Sequence, residues 1–243
     1  YQAWRSENPV EQAWLIFPTA FLNSPSSMFG HTLLRFDLKG KSTLLSKSVT
    51  YAAHADDQDQ GFSYALKGLF GGHPGYFSML RYHQKVKEYT RTNNRDIWEY
   101  QLNLNQDEID WVMAHLWELE GIRFDYYFST QNCSYQLLAV LDVARPTQRL
   151  TSEFDYLAIP VDTIRALEKR NWIKKTQFRA SENRLFYQYI DALTESERRW
   201  VLALQTKAYS ELAESISLLP VDRQRLILEA AYKLRILKQK DTK

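Results

Sequence analysis

Residues 132–142 contain the only cysteine of the 243-residue chain, and this stretch constrains the fold more than any other. After Cys133 the apolar residues recur with helical spacing, at Leu137, Leu138, Leu141 and Ala144. Asn132 is a favourable N-cap residue, which predicts a helix that begins at Cys133. Free N–H groups and the positive end of the helix dipole favour a thiolate there. The stretch predicts a nucleophilic cysteine, and the alternative is a small buried apolar residue.

His31 stands where a predicted hairpin begins. Residues 33–38 alternate in polarity like a strand, Gly40 turns the chain, and residues 43–53 read as a second strand. The serine-rich residues 23–27 before His31 are typical of a loop. The histidine is therefore expected at the edge of a strand, beside that loop.

A histidine at a strand edge and a cysteine at a helix N-terminus are the two parts of a papain-type dyad. The histidine takes the thiol proton of Cys133, and the thiolate attacks a carbonyl. Here His31 precedes the cysteine, as in a circularly permuted papain-like arrangement. A third polar group must orient the imidazole. Thr50, Tyr51 and His54 on or after the neighbouring strand are the candidates, and the sequence does not separate them.

Glycines alternate with large apolar residues in residues 61–82. Long irregular loops of this kind often cover binding sites, so residues 68–77 are predicted to line or cover an apolar groove for an acyl chain. The alternative is a loop that packs on the core. The predicted substrate-binding residues are Leu69, Phe70, Gly71, Gly72, Tyr76, Phe77 and, beside the cysteine, Asn132.

Composition narrows the classes of function. The formal net charge is +2, so a nucleic-acid partner is not indicated. One cysteine excludes an internal disulfide and a cysteine-rich zinc site. No metal and no cofactor are predicted, because the H-x-E and H-E-x-x-H patterns do not occur. No apolar run reaches the ~18 residues that a membrane-spanning helix needs.

The rest of the chain predicts one catalytic part and one helical part. Residues 96–104 read as a strand and residues 105–120 as a capped helix. From about residue 185 the pattern is helical, and the last helix, at 221–240, is amphipathic. This helix could pack on the catalytic part or lie on a membrane surface, and we expect packing. We therefore predict two domains, an α+β domain at 1–180 and an all-α region at 181–243.

Several motifs together resemble a known family. The chain is similar to the extracytoplasmic N-terminal domain of the Lnb-type lipoprotein intramolecular transacylases. The resemblance covers about residues 15–165 and rests on S-M-F-G-H-T-L-L-R-F at 27–36, Y-A-A at 51–53, G-L-F-G-G at 68–72, R-D-I-W-E-Y at 95–100 and N-C-S at 132–134. It implies a permuted NlpC-like, papain-like fold with a small antiparallel sheet. It also implies thiol-dependent acyl transfer by His31 and Cys133 on lipid-modified proteins.

Three functions are consistent with these patterns. The first is a cysteine acyltransferase that acts on a lipid or lipoprotein in the cell envelope. Such an enzyme is expected to be periplasmic or extracytoplasmic and membrane-associated, with a membrane surface as a candidate partner. The second is a cysteine amidase or peptidase that acts on cell-wall peptide, and the third is a non-catalytic envelope binding module. A fold resemblance alone does not decide among them.

Overall fold

The structure, a computed structural model, describes residues 1–20, 30–53, 67, 68, 70 and 72–239. The chain divides into two compact units. The first contains residues 1–86 and 97–179, and the second contains residues 87–96 and 180–243. The short segment 87–96 therefore belongs with the C-terminal helices and not with the sheet.

The first unit is built on one antiparallel sheet in which the described residues form seven strands. The strands are β1 Val10–Pro18, β2 Leu33–Leu38, β3 Lys47–Ala53, β4 His73–Arg81, β5 Ile97–Leu102, β6 Arg123–Tyr126 and β7 Ile173–Arg179. Their order is β6-β4-β3-β2-β1-β5-β7. The predicted hairpin of β2 and β3 is present. The sheet is larger than the small one expected, and β7 was missed because this edge strand carries mostly exposed polar side chains that do not alternate with apolar ones.

The prediction of an irregular segment at 68–77 was wrong from residue 73 onward. There the chain forms β4, which pairs with β3 on one side and with β6 on the other. Gly75 is needed because a Cβ at this position would lie 2.2 Å from the hydroxyl oxygen of Tyr51 on the neighbouring strand. The glycine thus allows close approach of a strand, and a sequence pattern cannot distinguish that use from a mobile loop.

Helices cover one face of the sheet. The described α-helices of the first unit are α1 Gln2–Glu7, α2 Tyr82–Val86, α3 Gln106–Glu118, α4 Cys133–Asp142 and α5 Pro160–Lys169. The helix α3 packs on β1, α4 packs on β2 and β3, and α5 packs on α4. Their apolar faces and the sheet enclose the main core, which includes Leu15, Phe36, Val112, Leu137 and Leu167. This packing brings the cysteine helix against the predicted hairpin.

A buried ion-pair network lies on the other face of the sheet. Arg35 on β2 donates to Glu99 on β5, and its Nε donates to Oδ1 of Asp37 at 2.8 Å. Glu99 also accepts from the hydroxyl of Tyr82 at 3.0 Å and from Nε of Arg179 on β7 at 2.9 Å. Arg35 and Glu99 are each only 1% exposed. The network therefore connects β2, β5 and β7 across the sheet.

The charge of Glu99 is stabilised in spite of its burial. Burial alone would raise the pKa of this carboxyl, but the positive charges of Arg35 and Arg179 and their hydrogen bonds hold it below its ordinary value. Glu99 therefore remains ionised and keeps its partners in place.

The second unit is helical. Within the described residues its α-helices are α6 Glu182–Asp191, α7 Glu195–Ala203, α8 Ala213–Ser217 and α9 Val221–Lys238. The helix α9 packs on α6 and α7 and buries Ile227, Ala230 and Ala231. The expected last helix is thus present. The sequence predicted that it would pack on the catalytic part, whereas the structure shows its buried residues against helices of its own unit.

We expect Glu99→Gln to lower the free energy of unfolding by about 3–5 kcal/mol at pH 7, because it removes the main partner of the buried Arg35. The folded-state pKa of Glu99 is depressed, so its stabilisation is complete above the unfolded pKa, about pH 4.3, and is lost as pH falls through the folded-state pKa. The difference between variant and wild type should therefore shrink in acid. Urea unfolding at several pH values measures it.

The control is an exposed ion pair on α5. Arg165 donates to Asp162 at 2.7 Å, and both side chains are well exposed to solvent. Asp162→Asn should change stability by less than about 1 kcal/mol. Equal effects of the two substitutions would show that the buried network contributes no more to the free energy of unfolding than an exposed ion pair does.

Candidate functional site

Asn132 caps the helix that carries the cysteine. Its side-chain oxygen accepts hydrogen bonds from the N–H of Ser134 at 3.0 Å and from that of Tyr135 at 3.3 Å. Its amide nitrogen donates to the carbonyl oxygens of Phe128 at 2.9 Å and Ala158 at 2.7 Å. The predicted helix start at Cys133 is confirmed. All four bonds are made within the chain, so the amide of Asn132 positions Cys133, and its predicted substrate contact would have to displace one of them.

His31 lies two residues before β2, at the same end of the sheet as the cysteine. Its backbone N–H donates to the carbonyl of Pro18 at 3.4 Å, which ties it to the end of β1. The preceding Gly30 has φ of +104°, and a Cβ there would lie 2.4 Å from the ring of Phe17. Only glycine fits that backbone and that space without strain. The chain therefore turns into β2 in one conformation and presents His31 to the helix.

The structure brings His31 and Cys133 together. Burial of the thiol, which is 2% exposed, raises its pKa. The charge of His31, its hydrogen bond to the sulfur, and two hydrogen bonds from Thr32 outweigh burial and lower the pKa of Cys133 to about 6. The surroundings therefore favour the thiolate of Cys133 more than water favours that of a free cysteine.

Two hydroxyl groups lie beside the sulfur. Oγ of Ser134 is 4.0 Å from Sγ of Cys133 and 3.0 Å from Oγ1 of Thr32. Thr32 and Ser134 are both buried. These side chains connect the start of β2 to the first turn of α4 on the helix face of the sheet. Their hydrogen bond fixes the position of the segment that carries His31 relative to the helix that begins with Cys133.

An aromatic cluster contacts the backbone of the cysteine. The N–H of Cys133 donates to the hydroxyl of Tyr126 at 3.4 Å. The ring of Tyr126 stacks on that of Tyr51, with centroids 5.4 Å apart, and Tyr51 in turn lies 4.9 Å from the ring of Phe77. Phe124 packs edge-on against Tyr51 and Phe77. The aromatic cluster from β3, β4 and β6 thus reaches the backbone of Cys133 through the hydroxyl of Tyr126.

The two described candidates for the third catalytic member lie on opposite faces of β3. Thr50 shares a hydrogen bond of 2.8 Å with Ser78 on the face away from α4, so the structure does not place it beside His31. Tyr51 points to the helix side, and its hydroxyl donates to the carbonyl of Asp125 at 3.4 Å. Burial raises the pKa of Tyr51, so the phenol stays neutral. Tyr51 braces Tyr126, which contacts the cysteine backbone.

The predicted substrate-binding residues are separated in the structure. Phe70 is 77% exposed and Gly72 is also exposed. Tyr76 and Phe77 are neighbours on β4 and therefore point to opposite faces, and Phe77 lies on the face of the cysteine helix. Phe77 joins the aromatic cluster next to Cys133.

Three residues that the sequence analysis assigned to the site cannot be located in the sheet or the helices. Leu69, Gly71 and His54 lie outside the described residues. His73 is buried in β4, with its ring 6.2 Å from that of Phe128.

Sequence reasoning gave no role to Thr32, Ser134 and Tyr126. The first two follow His31 and Cys133 directly in the chain, and polar residues in those positions are a usable signal. Tyr126 lies in an aromatic run, and nothing in its spacing indicates that its hydroxyl meets the N–H of Cys133. That contact depends on the pairing of β6 with β4.

The described residues lack two further features. In that part of the chain no three side chains of the His, Cys, Asp and Glu types converge as a metal site. None of the helices described is long and apolar enough to cross a bilayer.

We expect His31→Ala to raise the pKa of Cys133. Wild-type protein should show a midpoint near pH 6 when alkylation by iodoacetamide is followed against pH. Without the histidine, burial dominates, so the midpoint should exceed the value of about 8.5 of a free thiol. Substitution of the exposed His83 by alanine is the control and should leave the midpoint unchanged. An unshifted midpoint in His31→Ala would show that the two residues do not form a dyad.

We expect Asn132→Ala to lower the free energy of unfolding by about 1–3 kcal/mol, because it removes a cap and leaves two buried carbonyls without their donor. Alkylation of Cys133 should also change, because the first turn of α4 loses its anchor. The control is Asn105→Ala, which removes the exposed cap of α3 and should cost about 1 kcal/mol with no effect on the cysteine. Urea unfolding and the alkylation assay read the two effects, and identical behaviour of both variants would contradict the positioning role.

Comparison with known proteins places these residues in one family. Comparison with curated proteins produced no match, and comparison with solved structures produced none either. The family model described as the Lnb N-terminal periplasmic domain matches residues 1–170, a range that contains both His31 and Cys133. The chain therefore belongs to the family of Lnb N-terminal periplasmic domains.

Proposed function

We propose that this protein transfers acyl groups through a thioester on Cys133 and acts on a lipid or lipoprotein in the cell envelope. The observation that supports this most directly is the buried thiol at the N-terminus of α4, whose pKa is lowered to about 6 beside His31. A thiolate that is stable at neutral pH in an apolar site is suited to attack an ester carbonyl. A cysteine with only a packing role would have its pKa raised by burial.

The fold of the first unit is, by this proposal, a circularly permuted papain-like fold of the NlpC type. The support is the order and placement of the parts. The strand that follows His31 precedes the helix that begins with Cys133, and that helix packs on β2 and β3. The resemblance of the motifs to Lnb-type transacylases agrees with this assignment.

The transfer proceeds in two steps. The Cys133 thiolate attacks the acyl carbonyl, a C–S bond forms, the C–O bond of the ester breaks, and the leaving oxygen takes a proton from the His31 imidazolium. An amine acceptor then attacks the thioester, so that a C–N bond forms and the C–S bond breaks. The amine proton returns to His31, and the thiolate and imidazolium are restored. The positive end of the α4 dipole favours the oxyanion that develops in each step.

The surroundings of the sulfur favour an acyl group and an acceptor other than water. Cys133 is 2% exposed, and its N–H donates to the hydroxyl of Tyr126, whose ring stacks on that of Tyr51, with Phe77 behind them. An apolar site binds an acyl chain through the hydrophobic effect, at about 0.8 kcal/mol for each buried methylene. Exclusion of water protects the thioester from hydrolysis until an amine arrives.

The envelope setting follows from the family, whose domain is described as periplasmic. The resemblance to lipoprotein transacylases makes a lipid-modified protein the first substrate to test. Such substrates reside in a membrane, so we place the protein at a membrane surface.

We expect an acyl adduct on Cys133 when the protein is incubated with phospholipid or a diacylated lipopeptide. Intact-mass spectrometry should show a mass increase that hydroxylamine removes, as for a thioester. The adduct should be missing in Cys133→Ala and should form more slowly in His31→Ala. Addition of a primary amine should then discharge it to an acyl amide.

The outcome also separates transfer from hydrolysis. Discharge to free fatty acid with no amide at high amine concentration would indicate a hydrolase. Loss of peptide bonds from cell-wall peptide, with no lipid adduct, would favour the amidase or peptidase. If the thiol is activated but no donor acylates it, the acyl-transfer proposal fails.

A further inference from the structure

Four large apolar side chains are exposed around the N-terminal end of the cysteine helix. Phe70 is 77% exposed, Tyr156 is 90%, Leu157 is 52% and Val161 is 36%. We call these four residues the apolar rim. Scattered exposed apolar residues are common, so the rim gains weight only from its relation to the site.

Hydrogen bonds of the backbone connect the rim to the turn that precedes Cys133. The N–H of Phe128 donates to the carbonyl of Gly68 at 2.8 Å, two residues before Phe70. The N–H of Ala158 donates to the carbonyl of Ser129 at 2.8 Å, next to Leu157. Residues 128–132 thus hold both parts of the rim at the same end of the first unit as the nucleophile.

Asn132 strengthens this connection. Its amide nitrogen donates to the carbonyls of both Phe128 and Ala158 while its oxygen caps α4. The segments that carry Phe70 and Leu157 are therefore anchored to the residue that positions Cys133. A surface that contacts the rim therefore lies near the N-terminal end of α4.

The charges near the rim are mixed. Lys67 and Asp155 are exposed, and Asp162 pairs with Arg165 on the first turns of α5. This balance does not favour an anionic or a cationic partner. Phenylalanine, tyrosine and leucine side chains partition into the interfacial region of a bilayer without help from charge.

We propose that the apolar rim inserts into the surface of a lipid bilayer and brings the end of α4 to the acyl groups of the substrate. The choice of a bilayer over a protein partner rests on the proposed function, because the acyl donors of that reaction reside in a membrane. Because the charges near the rim are of both signs, we expect the rim to bind zwitterionic lipid. This binding should depend little on salt concentration.

The experiment is flotation of the full chain with vesicles of phosphatidylcholine. It uses a Cys133→Ala background, so binding is measured without catalysis. The triple variant Phe70→Ser, Tyr156→Ser, Leu157→Ser should bind about 100-fold more weakly, from about fivefold for each exposed side chain. High salt should leave wild-type binding nearly unchanged.

The matched control removes two equally exposed apolar residues of the second unit. Leu218 is 83% exposed and Val221 is 77%. Serine at both positions should leave vesicle binding unchanged. An equal loss in the control, or no binding by the parent protein, would overturn the inference and would favour a protein partner for the rim.

A separate readout distinguishes this inference from the proposed function. With Cys133 restored, the triple variant should form the acyl adduct normally from a short-chain, water-soluble thioester and slowly from vesicles. Its alkylation midpoint should also match wild type, which excludes misfolding. Equal rates of the triple variant from both donors would overturn the inference about the rim. If the wild type forms no adduct even with the soluble donor, the acyl-transfer proposal fails, and the flotation result still stands.

Discussion

The side-chain amide of Asn132 is the interaction on which the site depends. It caps α4 with its oxygen and holds two loops with its nitrogen. A helix N-terminus needs an acceptor for its free N–H groups, and asparagine adds two N–H donors, whereas a serine cap has one donor and an ionised aspartate cap has none. One side chain therefore sets the position of the nucleophile and that of the surface in front of it.

The sheet supplies the second half of the dyad. Antiparallel pairing places the start of β2, the end of β3, the start of β4 and the end of β6 at one end of the sheet. His31, Tyr51 and Tyr126 come from three of these strand ends. On the opposite face the pair of Arg35 and Glu99 connects the central strands. One face of the sheet thus carries the candidate site, and the other carries the buried ion-pair network.

Burial and charge act against each other at Cys133, and charge is the stronger effect. An apolar site alone would keep the thiol protonated, whereas the neighbouring His31 and Thr32 stabilise the thiolate. For the acyl transfer that we propose, a thiolate that is shielded from water would favour an acceptor other than water. The exposed apolar rim beside it is consistent with a substrate that comes from a lipid phase.

The sequence by itself determined the features that depend on local physics. The cap at Asn132, the helix behind Cys133, the hairpin after His31 and the capped helix α3 all follow from periodicity and from residue types near in the chain. Tertiary structure decided the rest. Gly75 belongs to a strand because of a ring on the neighbouring strand, and Thr50 and Tyr51 separate because adjacent strand residues face opposite sides. The roles of Thr32 and Tyr126 arise where β2, β6 and α4 meet, and such contacts between distant segments leave no periodic signal in a single sequence.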